Sequence, residues 1–135
     1  MKKSRVLVAI AALGAILATA VSAASRVPYL QSVSASHRHV VAVYALGPDL
    51  APARILVAAA SQTSPNGQFV RANIRLSEPL RAVQVAGRFR TQTRHTLRAG
   101  RYFVEVSGVV VGLDCTPTKP CRTDWSNVRR VVIRP

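Results

Sequence analysis

After residue 24 the apolar positions fall in short β-branched runs that alternate with polar ones, and no apolar set holds a helical period for long. Turn-forming residues part the runs at roughly ten-residue intervals, which is the pattern of an all-β sandwich or barrel. The runs predict strands over residues 29–34, 39–46, 54–59, 68–76, 101–110 and 127–133, with a polar, twisted strand over 91–97. Residues 81–89 have no clear pattern of their own. Phe69, Ile74 and Leu76 are read as inward-facing. Gly47-Pro48-Asp49 and Ser64-Pro65-Asn66-Gly67 supply turns. The expected architecture is about seven strands in an antiparallel sandwich.

The first residues follow a different rule. Lys2, Lys3 and Arg5 precede an uncharged apolar stretch from Val6 to Ala24, and Val21-Ser22-Ala23 gives a small-residue exit. This is the form of a signal peptide over residues 1–23, followed by one domain over 24–135. The alternative is a retained membrane anchor, since about 20 apolar residues span a bilayer. The small residues at its end favour cleavage. The expected location is therefore secreted or at the cell surface, with membrane attachment only if the segment is uncleaved.

Charge adds a class of partner. The chain carries a formal +14, and removing Lys2, Lys3 and Arg5 leaves 14 − 3 = +11, nearly all of it arginine. Such a field attracts acidic proteins, anionic cell-surface polymers and lipid headgroups. Arg71, Arg75, Arg88, Arg90, Arg94 and Arg98 are the candidate anion-binding residues, spaced so that members of each set share a strand face. Phe89 is the one aromatic among them, which argues against sequence-specific nucleic-acid reading, where stacking rings interleave with the charges. The opposite reading is that the arginines are simply solvated.

Cys115 and Cys121 are the two cysteines, in the spacing C-T-P-T-K-P-C. That spacing fits no zinc pattern, and in an exported protein it is expected to close a disulfide. A bridged loop over residues 112–124, stiffened by Pro117 and Pro120, is the second candidate contact surface.

The segment Leu97-Arg98-Ala99-Gly100-Arg101-Tyr102-Phe103-Val104-Glu105-Val106 resembles the fibronectin type III pattern of leucine, glycine, tyrosine and alternating apolar residues. The resemblance implies an immunoglobulin-like β-sandwich in which Tyr102 forms a tyrosine corner, its hydroxyl bonding back to upstream backbone. Leu97, Gly100 and Trp125 are its other structural positions. Trp125-Ser126-Asn127-Val128 is similar to the start of the last strand of such domains, and Pro28 to their proline-led first strand. Tyr44 stands where the family has a tryptophan, and Ile55-Leu56-Val57 where it has a tyrosine. The resemblance therefore implies a divergent member or another immunoglobulin-like sandwich.

Enzyme chemistry has little to stand on. Asp49, Glu78, Glu105, Asp114 and Asp124 are the only carboxylates, and none is paired at a suggestive spacing. Glu105 is expected to point outward beside arginines. No nucleophile elbow or phosphate-binding glycine loop occurs. His37 and His39, two apart, are expected to share a strand face. A hydrolase would need a pocket holding both of them with a carboxylate. No catalytic residue, metal or cofactor is assigned. The expected function is a non-enzymatic binding or adhesion module acting through loops or a basic face. The alternative is an accessory protein held electrostatically on anionic polymers or lipids.

Overall fold

The structure, a computed structural model, describes residues 27–110 and 121–135. The described residues form nine strands: β1 (Tyr29–Ser36), β2 (His39–Ala45), β3 (Leu50–Ala58), β4 (Ile74–Pro79), β5 (Ala82–Val85), β6 (Arg88–Gln92), β7 (Gly100–Val110), β8 (Cys121–Arg122) and β9 (Arg129–Ile133). They build two antiparallel sheets. The first has the order β1-β2-β6-β5 and the second β4-β3-β7-β8, with β9 also on β7.

The sheets pack through their inward positions at period two. Leu30, Val40, Ala42 and Tyr44 come from the first sheet. Ile55, Val57, Leu76, Tyr102, Val104, Val106, Val131 and Ile133 come from the second. Leu97, from the segment between β6 and β7, closes one end of the core. The rim between β1 and β9 is held by polar groups. The Asn127 side-chain oxygen accepts from Leu30 N–H at 2.8 Å, and its amide donates to the Leu30 carbonyl at 2.9 Å. Arg129 Nε donates to the same carbonyl at 3.0 Å.

Local chemistry explains the breaks in the ladders. Pro52 sits inside β3, where the pairing with β7 slips between Pro52 and Arg54. A bulge tolerates the missing N–H donor, as a regular central strand would not. Two hairpins close with two-residue loops, His37-Arg38 and Ala86-Gly87, and all four residues have positive φ. Loops of that kind are type I′ turns, whose twist matches that of the flanking strands.

Several expected boundaries change. The run expected as a strand over 68–76 is one only from Ile74 onward; a 3-10 turn occupies Arg71–Asn73. Of the three residues expected inside, Leu76 is in the main core, whereas Phe69 and Ile74 belong to a second cluster. The polar strand expected over 91–97 keeps only Thr91 and Gln92, at the end of β6. Residues 81–89 resolve into β5, a turn and the start of β6.

Candidate functional site

Alternation along β6 sends Phe89 inward, where it stacks on Tyr44 at 5.7 Å, and leaves Arg88 and Arg90 exposed on the outer face. Their cross-strand neighbours are known from the register. Arg90 lies between Val43 of β2 and Val83 of β5, and Arg88 lies opposite Val85. Val83 and Val85 are 66% and 56% exposed. Farther across the same face, Ser32 and Ser34 of β1 pair with Val43 and Val41. The outer face of the first sheet is thus a row of serines, a row of valines, two arginines and an apolar edge.

The six candidate arginines do not form one stripe. Arg88 and Arg90 share the face just described. Arg94 and Arg98 are exposed on the segment between β6 and β7. Arg71 opens the 3-10 turn and Arg75 lies in β4, on the other sheet, donating to the Ala72 carbonyl at 3.4 Å. Periodicity within one strand sets which residues share its face, but only the strand order sets which strands share a sheet.

Charge balance is the dominant feature of the surface. Twelve of the fourteen described arginines are exposed. Of the four described carboxylates, Glu78 and Glu105 are buried. Among the described residues the one ion pair is between His95 Nδ1 and Glu78, at 3.2 Å.

Glu78 points inward from β4 and ties that strand to the segment between β6 and β7. Its carboxylate accepts from the backbone N–H of Arg94 at 2.7 Å and of His95 at 3.2 Å. Burial raises its pKa, but these two donors and the His95 ring outweigh that and hold it below the usual carboxylate range.

Glu105 corrects an expectation. It does point away from the main core, yet it is 0% exposed. Opposite it on β3 is Leu56, and over that face lies a second apolar cluster of Leu56, Ala58 and Phe69, packed against Ile74, Phe103 and Trp125. One Glu105 oxygen accepts from Phe69 N–H at 2.7 Å; the other has no partner. Burial pushes its carboxyl up to about 7, against the partial relief of that one bond. Gly67, at φ +91°, lets the covering segment lie against Trp125, whose Cβ would be 3.3 Å from an added side-chain carbon.

No protein-family model matches this chain, and no curated protein matches it.

The Tyr102 hydroxyl donates to the Arg98 carbonyl at 2.8 Å, Leu97 is buried in the core, and Gly100 begins β7 against the Tyr102 ring. Trp125 packs on the second cluster. The expected Cys115–Cys121 bridge and its loop fall largely outside the described residues, as does the signal segment; Cys121 itself opens β8 opposite Val110. His37 and His39 do not share a strand face, because His37 lies in the turn with φ 50° and His39 begins β2. The cleft beside that turn is lined by His37 and by neither His39 nor an Asp or Glu side chain.

Proposed function

We propose that this chain is an exported, non-enzymatic β-sandwich of immunoglobulin-like, fibronectin type III-like kind that binds an acidic partner through the outer face of its first sheet. The carrying observation is the unneutralised charge: Arg88 and Arg90 stand exposed on a valine-flanked sheet face, with no described carboxylate paired to them. Flanking valines lower the local dielectric and strengthen the pull of a guanidinium on an anion. Two features support the fold type. The order β1-β2-β6-β5 against β3-β7-β9 has the connectivity of the four-on-three immunoglobulin constant-type sandwich, with β4 added. The Tyr102–Arg98 bond has the form of a tyrosine corner.

The test separates site from bulk charge. The secreted protein, made under oxidising conditions, is loaded on an anionic polysaccharide and on whole cells and eluted in a salt series. Retention should collapse between low and moderate salt as screening shortens the field. Arg88→Ala with Arg90→Ala should elute clearly earlier than Arg71→Ala with Arg75→Ala, although both pairs remove the same charge. Equal elution of the two variants would reduce the effect to net charge. Binding that survives salt and vanishes on reduction would instead place the contact on the Cys115–Cys121 loop.

A further inference from the structure

At one end of the sandwich a cleft of about 550 Å³ opens between the β1–β2 turn and the end of β9. Ala35, His37 and Arg38 line one side, and Val132, Ile133, Arg134 and Pro135 the other. Its size is that of a small-molecule site. The ionisable side chains on its walls, His37, Arg38 and Arg134, are all basic. Neither the Arg38 nor the Arg134 guanidinium has an ion-pair partner among the described residues. Ile133 is buried, with its side chain in the main core, while the two arginines are exposed.

The turn that carries Arg38 is held in a costly shape. His37 and Arg38 have φ of 50° and 66°, in the left-handed region where a type I′ turn prefers Asn-Gly. The surroundings fix it there. Leu97 N–H donates to the Arg38 carbonyl at 3.0 Å, and the His39 ring bonds the Thr93 carbonyl at 2.7 Å. Backbone strain that its neighbours over-determine is characteristic of ligand sites. Here it sets two basic side chains at the mouth of a concavity.

We propose that this cleft binds the oxyanion end of a small ligand, a phosphate or carboxylate group, between Arg38 and Arg134. The planar guanidinium fork matches both groups with paired hydrogen bonds. Ala35 and Val132 offer apolar surface to the rest of the ligand. The site goes beyond the sheet-face reading and uses neither Arg88 nor Arg90, so each can fail alone.

The experiment is a titration of the isotope-labelled secreted protein, followed by amide shifts at constant ionic strength, with inorganic phosphate in one arm and acetate in the other. Saturable shifts confined to residues 35–38 and 132–134 are expected in at least one arm, and the arm that saturates names the group. Arg38→Ala and Arg134→Ala should each weaken that binding about tenfold, as loss of a charge-assisted contact does. Arg88→Ala should leave it unchanged. Shifts that never saturate, that spread over all exposed arginines, or that persist in both cleft variants would overturn the site. The amide spectra of the variants report directly that they are folded.

Discussion

Tyr102 and Glu105 face opposite sides of β7, and their polar atoms meet opposite fates. The Tyr102 hydroxyl is satisfied by the Arg98 carbonyl. Tyr102→Phe removes that bond and leaves the ring in place, so chemical denaturation should show a loss of about 1 kcal/mol. Glu105 keeps one oxygen unpartnered. Its carboxyl titrates near 7 in the folded chain against an ordinary 4.5. Between those values the folded state holds a proton that the unfolded state has lost, so stability falls as pH rises and then levels off above 7. The full effect is on the order of 3 kcal/mol. Glu105→Gln should flatten that slope and raise stability at pH 8, and an unchanged slope would sink the assignment. Glu78 acts in the other direction: its pKa is lowered, so its contribution is full above the ordinary value and is lost as pH falls. Neither carboxylate environment could be read from Glu105 or Glu78 as sequence positions. A strand pattern marks Glu105 as facing away from the main core, and only the segment folded over it makes it buried.

At the scale of elements, the two type I′ turns show how pairing overrides local preference. Register dictates two-residue loops after Ser36 and Val85, and the strand twist then demands positive φ from His37, Arg38 and Ala86. Left-handed conformation costs a non-glycine residue about 1 kcal/mol or more. Arg38→Gly should therefore raise thermal stability while weakening the proposed oxyanion binding. Ala86→Asn should raise stability with no effect on binding, since that turn lies outside the cleft lining. A loss of stability in both variants would show that strain is absent. The run from Gln68 to Asn73, expected as strand, is not one. Phe69 has the apolar character of a strand residue, but it serves the second cluster. A count of apolar residues cannot tell which of two cores a residue joins.

For the whole molecule, charge and shape act together. Nearly all the cation excess after residue 23 is arginine, which stays protonated across any physiological pH. Retention on an anionic polymer should therefore vary by less than about twofold between pH 7 and pH 9, where histidine-based binding would decline. With Glu78 and Glu105 turned inside, few carboxylates are left outside to neutralise that field.

Sequence alone determined the all-β class, most strand positions, the alternation of Tyr102, Val104 and Val106, and the basic composition. These follow from period-two burial and from composition, which are properties of each segment by itself. The tertiary structure decided how the strands are ordered, and with that which arginines share a face. It also decided that Glu105 is covered, that His37 and Arg38 form a strained turn, and that this turn meets Arg134 across a cleft. Those facts depend on contacts between residues far apart in the chain, and no local pattern encodes them.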